Sequence, residues 1–230
     1  MKKIAISQRE VPYKYGYNID ALEQSYFKYY QKFGIILIPL SNVSDNLFSN
    51  LLELNLDGII LSGGENLNPR LYRKPLLKEK AYSDNRDATE KILMDFAIDN
   101  ALPMLCQCRG AQFLNVYFGG QLIQEIRNSK NELSHVGRTH KVEITEAKSI
   151  SYLGKSTTIV NSYHSQGFSE KELSKKLKVF AKAPDGIIEG VYHPSFPVAG
   201  ILWHPERESP EPEINEKILD AFLNRKHFWA

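Results

Sequence analysis

The first half of the chain alternates short, continuously apolar runs with longer stretches in which apolar residues recur at helical spacing. The apolar runs predict buried strands within KIAIS (3–7), GIILIPL (34–40), DGIILSGG (57–64) and LPMLCQC (102–108). The helical stretches cover 19–33, 42–55, 87–100 and 109–118. This alternation of strand and helix is typical of parallel strands with helices on both faces of the sheet.

The second half is richer in strands and turns. It predicts strands within HKVEI (140–144), STTIV (156–160), LKVFAKA (177–183), IIEGVY (187–192) and PVAGILW (197–203), and a last helix from Pro212. No repeat, low-complexity tract or linker interrupts this order. We therefore expect one domain over residues 1–230, an α/β fold of three layers with a mostly parallel central sheet.

Composition excludes several classes of protein. The 230 residues are 42% hydrophobic and carry a formal net charge of +2 without a basic cluster, so we expect no nucleic-acid partner. No run approaches the ~20 apolar residues of a membrane span, and the N terminus lacks the apolar core of a signal peptide. Two cysteines so close together form no disulfide framework, which favours a cytoplasmic setting.

The two cysteines stand where a predicted strand meets a predicted helix, in LCQCRG (105–110). A thiol at a helix N terminus faces unpaired N–H groups, which favours the thiolate. Such a turn needs small residues two before and two after the nucleophile, here Cys106 and Gly110. Two other interpretations remain: a pair of buried structural cysteines, or a Cys-x-Cys metal site completed by His135 and His140, which the tight spacing disfavours.

A cysteine nucleophile requires a base and a group that orients the base. His204 ends an apolar strand in GILWHPERE, and Glu206 follows two residues later; a surface turn would show the same pattern. Both belong to the edge at which parallel strands end and ligands bind. The Ser62-Gly63-Gly64 turn lies at that edge as well. Gly63, Gly64 and Arg109 are therefore the candidate oxyanion donors.

Six segments in the right order resemble the class I glutamine amidotransferase family, whose fold is flavodoxin-like. They are DGIILSGGENLNPRLY (57–72), RDATE (86–90), CQCRGAQFLNVYFGGQLIQ (106–124), VNSYHSQGF (160–168), AKAPDGIIEGV (181–191) and WHPE (203–206). The RDATE, VNSYHSQGF and AKAPDGIIEGV segments are most similar to the branch that contains the γ-glutamyl hydrolases, including those acting on γ-glutamyl-γ-aminobutyrate.

The resemblance implies an enzyme with a Cys-His-Glu triad. Cys108 would attack a γ-glutamyl carbonyl and form a thioester, His204 would transfer protons, and Glu206 would orient His204. The substrate-binding residues would be Gln112, Ser165 and Gln166, while His164 would either assist or pack beneath the site. The substrate would be a small γ-glutamyl compound, with no cofactor, no metal ion and no membrane partner.

Two departures from the family concern the leaving group. Cys106 stands where most members have Gly, and Leu202 where many have Gln, which suggests an unusual leaving amine. Some similar relatives release a CDP-linked phosphoramidate from its γ-glutamyl precursor in capsule synthesis, so γ-glutamyl-CDP-amidate is a candidate substrate. The aromatic segment 11–17 would stack on a base or pack on the core. The alternative function is a glutaminase subunit that supplies ammonia to a separate synthetase.

Overall fold

The computed structural model describes residues 1–43, 45–76, 81–126 and 133–229. Its strands are β1 Lys2–Ile6, β2 Arg9–Pro12, β3 Asn18–Ala21, β4 Ile35–Pro39, β5 Gly58–Leu61, β6 Met104–Gln107, β7 Val136–Ile144, β8 Thr157–Tyr163, β9 Lys178–Lys182, β10 Ile188–Tyr192 and β11 Val198–Ile201. Its α-helices are α1 Gln24–Tyr30, α2 Leu47–Glu53, α3 Asp84–Asp99, α4 Arg109–Tyr117, α5 Ala147–Leu153 and α6 Pro212–Leu223.

Nine of these strands form one sheet in the order β4-β1-β5-β6-β11-β10-β9-β7-β8. The first five pair in parallel, and the pairs from β11 to β8 are antiparallel. Following these pairings, β10 and β7 run opposite to the other seven strands. The predicted α/β fold with a mostly parallel central sheet is therefore confirmed. The carboxyl ends of β5, β6 and β11 lie side by side because these strands are neighbours.

Helices cover both faces of this sheet. One buried cluster joins α2, α3 and α4 to residues such as Ala5, Ile59 and Cys106. A second cluster joins α1, α5 and α6 to residues from the same strands, such as Ile4 and Leu105. Successive residues of a strand point to opposite faces, so continuously apolar strands supply both cores. A strand that is covered on both faces needs apolar residues at every position, which is why the continuously apolar runs predicted buried strands correctly.

The predicted helix over 19–33 is wrong at its beginning. Residues Asn18–Ala21 form β3, which pairs antiparallel with β2 in a separate two-stranded ribbon, and α1 begins only at Gln24. The Asp20 carboxylate does not cap a helix; it accepts hydrogen bonds from Ser41 Oγ and from the backbone and side chain of Asn42. The residues there have helical spacing, but long-range contacts hold them as a strand. Such contacts cannot be predicted from local spacing.

The aromatic segment at the tip of that ribbon is exposed. The side chains of Tyr13, Tyr15 and Tyr17 are 57%, 92% and 70% exposed. The expectation that this segment packs on the core is therefore wrong. The ribbon follows the carboxyl end of β1, so it stands on the same side of the sheet as the candidate site.

Candidate active site

Cys108 lies at the turn between β6 and α4. Its backbone adopts φ 51° and ψ −104°, a conformation that is strained for a residue with a Cβ. Its backbone N–H donates to the carbonyl of Ile201 in β11, which fixes the turn against the neighbouring strand. A Cβ at Gly110 would lie 2.5 Å from the carbonyl oxygen of Leu61, so only glycine lets α4 approach β5 this closely.

His204 and Glu206 follow β11, the strand beside β6. His204 Nδ1 and Glu206 Oε1 are 2.6 Å apart, and both side chains are buried. Asn161 holds the histidine backbone from both sides: its Oδ1 accepts from the His204 N–H at 2.9 Å, and its Nδ2 donates to the His204 carbonyl at 2.8 Å. Asn161 belongs to the VNSYHSQGF segment, but sequence reasoning gave it no role.

Cys108 and His204 are brought together across Gly63. A Cβ placed on Gly63 would lie 2.7 Å from His204 Cε1 and 3.6 Å from Cys108 Cβ. Burial would lower the pKa of His204, but the negative charges of Cys108 and Glu206, with hydrogen bonds to both, outweigh it and raise that pKa to about 10. The arrangement therefore favours an imidazolium at position 204 at neutral pH.

Cys106 has a different environment. It is fully buried in the core cluster beneath α3 and α4. Burial, with a smaller contribution from the charge of Glu90, raises the pKa of the Cys106 thiol well above its usual range. This side chain is a small core residue under the strand-to-helix turn.

The turn Ser62-Gly63-Gly64 follows β5, next to Cys108. The Gly63 N–H donates to the hydroxyl of Tyr26 at 2.9 Å, so in this structure it is engaged. Gly64 has φ +156°, and a Cβ there would lie 2.1 Å from Arg86 Nη1. Arg109 is the first residue of α4, where a backbone N–H has no acceptor within the helix. Of the three predicted oxyanion donors, Gly63 is engaged by Tyr26 in this structure, and Gly64 and Arg109 stay predictions.

Arg86 fixes the carbonyl side of that turn, a role that the sequence did not reveal. The guanidinium is fully buried and its Nη2 donates to the carbonyls of Ser62 and Gly63 at 2.8 and 3.1 Å. Glu65 and Glu90 neutralise it at 2.9 and 3.0 Å. Because these donors hold both carbonyls on one side, the turn is restricted to one orientation.

Arg109 extends the same network with its side chain. Its Nη2 lies 2.5 Å from Asp87 Oδ1, and its Nη1 contacts Glu90 Oε2. The RDATE segment therefore provides Arg86, Asp87 and Glu90 to one buried ion network that joins α3, the glycine turn and the start of α4. Buried charges persist where they are paired in this way.

Of the three predicted substrate-binding residues, Gln112 lies in α4, one helical turn after Cys108, whereas Ser165 and Gln166 follow β8. Gln112 is buried, and its Nε2 donates to the Gln166 carbonyl at 2.9 Å. The same carbonyl is 3.0 Å from His164 Nδ1. The Ser165 carbonyl accepts from the Ile126 N–H at 2.9 Å. The carbonyls of Ser165 and Gln166 are thus occupied within the fold, while the amide oxygens of Gln112 and Gln166 accept none of these bonds.

A cavity of about 530 Å³ is lined by Asn161 and Tyr163, and both of these residues contact His204. The Tyr163 ring packs edge-to-face against the imidazole at a centroid distance of 5.7 Å. The guanidinium of Arg207 covers Tyr163 at 4.5 Å. The cavity is lined by Gly137, Arg138, Thr139, Asn161, Tyr163, Glu208, Ser209 and Pro210. The polar segment 127–138 is expected from the sequence to form a loop near the mouth of the site. Its last residues, Gly137 and Arg138, instead belong to β7 and line this cavity, whereas 127–132 lie outside the described residues.

Within the described ranges, the helices are too short or too polar to cross a bilayer.

Comparison with known proteins adds independent findings. The family model for peptidase C26 matches residues 4–206. The chain is 32% identical to the gamma-glutamyl-gamma-aminobutyrate hydrolase of Escherichia coli O157:H7 over 82% of this chain and 78% of that protein. It is also 32% identical to the protein NtpR of Enterococcus hirae, over 82% and 81%.

Among solved structures, the glutaminase domain of Trypanosoma brucei CTPS with bound acivicin has a similar fold. The TM-score is 0.63 at 17% sequence identity, and the match covers 100% of this chain and 97% of that one. At this identity the likeness concerns the fold alone.

Proposed function

The chain belongs to the peptidase C26 family of the class I glutamine amidotransferase-like proteins, and from this premise we propose that it is a cysteine-dependent hydrolase of γ-glutamyl amides. Relatives named gamma-glutamyl-gamma-aminobutyrate hydrolase support hydrolysis of a γ-glutamyl amide in general. The observation that carries the proposal is the group of Cys108, His204 and Glu206, with 2.6 Å between His204 Nδ1 and Glu206 Oε1.

In the first step the Cys108 thiolate attacks the γ-carbonyl carbon of the substrate. As the tetrahedral intermediate collapses, the C–N bond breaks and His204 gives its Nε2 proton to the leaving amine. Glu206 accepts from Nδ1–H and stabilises the imidazolium. The product of this step is a γ-glutamyl thioester on Cys108.

In the second step water attacks the thioester. Neutral His204 takes one proton from that water, the C–S bond breaks, and glutamate leaves while the thiolate–imidazolium pair is restored. The backbone N–H groups of Gly64 and Arg109 would stabilise the oxyanion in both steps. Gly63 has a spatial role, because any larger residue would collide with His204.

For the glutamyl part of the substrate, Gln112 and Gln166 would provide their side-chain amide oxygens, with Ser165 beside them. The α-ammonium group is the part of the substrate that such acceptors recognise. The leaving amine would extend into the cavity beside Tyr163, which is large enough for a small organic amine.

The finer form of the proposal is a nucleotide-linked leaving group, as in γ-glutamyl-CDP-amidate of capsule synthesis. The exposed side chains of Tyr13, Tyr15 and Tyr17 support it, because exposed aromatic rings stack on bases. An amine such as γ-aminobutyrate gains nothing from such a surface.

The test is turnover by the purified full-length chain on three substrates: γ-glutamyl-γ-aminobutyrate, γ-glutamyl-CDP-amidate and glutamine. We expect the chain alone, without a partner protein, to hydrolyse γ-glutamyl-γ-aminobutyrate or γ-glutamyl-CDP-amidate. Cys108→Ala should abolish this activity. If the chain prefers γ-glutamyl-CDP-amidate, and this preference is smaller in a Tyr13→Ala/Tyr15→Ala/Tyr17→Ala variant, the result supports a nucleotide-linked leaving group. Turnover of glutamine alone, and only after a synthetase is added, would instead identify a glutaminase subunit that supplies ammonia.

A further inference from the structure

Three histidines and one glutamate form a second buried polar cluster, outside the group of Cys108, His204 and Glu206. His135 precedes β7, His140 lies within β7, His164 follows β8, and Glu189 lies in β10. None of the four residues is more than 5% exposed. Neither the proposed hydrolysis nor the substrate contacts use this cluster as a unit.

The four side chains converge on one point. Glu189 Oε1 lies 3.3 Å from His135 Nδ1, 3.4 Å from His140 Nε2 and 3.5 Å from His164 Nε2. All four candidate ligand atoms lie within 4.8 Å of one another. In a tetrahedral zinc site with bonds of about 2.0–2.1 Å, neighbouring ligand atoms are separated by about 3.3 Å. The glutamate–histidine separations match that edge.

The outer nitrogen of each imidazole is already engaged by an acceptor. These contacts fix the ring orientations and place a hydrogen on each outer nitrogen, because carbonyl and carboxylate oxygens only accept. In a neutral imidazole, the inner nitrogen then presents a lone pair to the centre of the cluster. The contacts are His135 Nε2 to Asp185 Oδ2 at 2.9 Å, His140 Nδ1 to the Lys141 carbonyl at 3.1 Å, and His164 Nδ1 to the Gln166 carbonyl at 3.0 Å.

Most of the inner atoms lack partners of their own; the exception is His135 Nδ1, which has Ser162 Oγ at 3.5 Å. Within the part of the chain that the structure describes, His140 Nε2, His164 Nε2 and both Glu189 carboxylate oxygens are buried without a hydrogen bond. Buried polar atoms are rarely left in this condition. Lone pairs and a carboxylate that face each other repel unless a proton or a metal cation lies between them. The geometry points to a divalent transition-metal ion held by His135 Nδ1, His140 Nε2, His164 Nε2 and Glu189.

The ligand set selects the kind of metal. Imidazole nitrogens suit zinc and its neighbours in the first transition row, whereas Mg²⁺ and Ca²⁺ prefer oxygen ligands throughout. Four protein ligands complete a tetrahedral Zn²⁺ site and leave no position for substrate, which is the pattern of structural zinc. The ion is therefore Zn²⁺ with a structural role.

This ion would tie together the segments on which the candidate active site depends. His164 is two residues from Gln166, whose carbonyl receives the Gln112 amide. The carbonyl of Glu189 accepts from the Leu202 N–H at 2.9 Å, two residues before His204. A metal that joins β7, β8 and β10 would hold both segments in place, whatever the substrate.

The test measures zinc directly, in a Cys108→Ala background so that the thiol of the candidate active site does not compete for metal. Chelator-treated, full-length protein is titrated with Zn²⁺ against a chromogenic chelator, and metal content is measured by mass spectrometry after growth with zinc. We expect one Zn²⁺ per chain. Glu189→Gln and His140→Asn should weaken binding by at least about 100-fold. The matched controls Glu146→Gln and His193→Asn, both outside the cluster, should bind as before.

Two further readouts keep the test decisive if a variant fails to fold. Zn²⁺ at a hundredfold excess over Kd should raise the Tm of the chelator-treated parent by about 5–10 °C. Co²⁺ in place of Zn²⁺ should give the visible absorption of a tetrahedral site. The inference would be overturned if the parent chain bound no zinc and its Tm did not rise, or if Glu189→Gln contained as much zinc as the parent. The cluster would then be held together by protonated histidines and not by a metal ion.

Discussion

At the scale of single residues, the two thiols differ because one begins a helix and the other lies in the core. Cys108 is 6% exposed beside a protonated His204, and Cys106 is fully buried with its pKa raised. Thiolates react with iodoacetamide and thiols do not. We therefore expect the sulfur at position 108 to be the reactive one.

We predict that iodoacetamide near neutral pH labels Cys108 rapidly and leaves Cys106 unmodified, as read by peptide mass spectrometry. Cys108→Ala should reduce turnover by about 10⁴-fold or more. Cys106→Ala should keep turnover within about threefold and cost about 1 kcal/mol in the free energy of unfolding, because it only removes a buried sulfur. Equal labelling of both cysteines would contradict this distinction.

The second prediction at this scale concerns pH. Because the pKa of His204 is raised to about 10, its proton remains available to the leaving amine up to that pH and is lost above it. The burst of p-nitroaniline from γ-glutamyl-p-nitroanilide should therefore fall as pH rises through about 10. In Glu206→Gln this alkaline limb should move to lower pH, towards the ordinary imidazole value of about 6.5, and the burst should slow by about 10³-fold.

The matched control for that variant is Glu213→Gln, since the Glu213 side chain is 58% exposed in α6 and does not line the cavity beside Tyr163. Its limb should stay where it is in the parent chain. A limb that does not move in Glu206→Gln would mean that Glu206 does not act on His204.

At the scale of elements, α3 carries one arginine into the interior and one lysine to its exposed face. Arg86 is fully buried between Glu65 and Glu90, whereas the Lys91 side chain is 65% exposed and pairs with Asp95 one turn away. Removing one partner of a buried pair leaves an uncompensated charge, while exposed pairs contribute little. The two positions thus give a matched comparison within one helix.

We predict that Arg86→Gln lowers the free energy of unfolding by about 3–5 kcal/mol and that Lys91→Gln lowers it by no more than about 0.5 kcal/mol, as measured by urea denaturation. Arg86→Gln should also lower kcat more than it raises KM, because the Ser62 and Gly63 carbonyls lose their donor and the oxyanion turn can rotate. Equal losses of stability in the two variants would show that the buried network does not act as described.

At the scale of the whole molecule, the C-terminal segment supports the strand that leads to Cys108. Trp229 is fully buried against Phe222 and Phe228, and its indole N–H donates to the carbonyl of Met104, the first residue of β6, at 3.1 Å. This contact joins residues 125 positions apart, so it forms only when the sheet is complete.

Trp229→Ala should therefore lower the free energy of unfolding by about 3–5 kcal/mol, measured in urea at an unchanged m-value. Tyr15→Ala serves as the control, since its ring is 92% exposed and its loss should change stability by no more than about 0.5 kcal/mol. A small effect at position 229 would indicate that the two cores hold the sheet without this segment.

The sequence by itself predicted the elements whose signal is local. Apolar or alternating runs predicted the nine strands of the main sheet. Gly110 indicated the tight turn at Cys108, because a Cβ at that position would collide with Leu61. The motif segments indicated the family, and the family match confirms it. The ribbon of β2 and β3 and the short helix α5 were missed, because their stability comes from contacts outside their own residues.

Tertiary structure alone decided which side chains share a space. Nothing in the order of residues tells that Tyr26 accepts from Gly63, that Asn161 binds both sides of the His204 backbone, or that Arg86 holds the glycine turn. His135 and His140 are near each other in sequence, but their other partners are His164, which follows β8, and Glu189, which lies in β10. Periodicity encodes which face of an element is apolar, whereas contacts between distant elements depend on how all of them pack together.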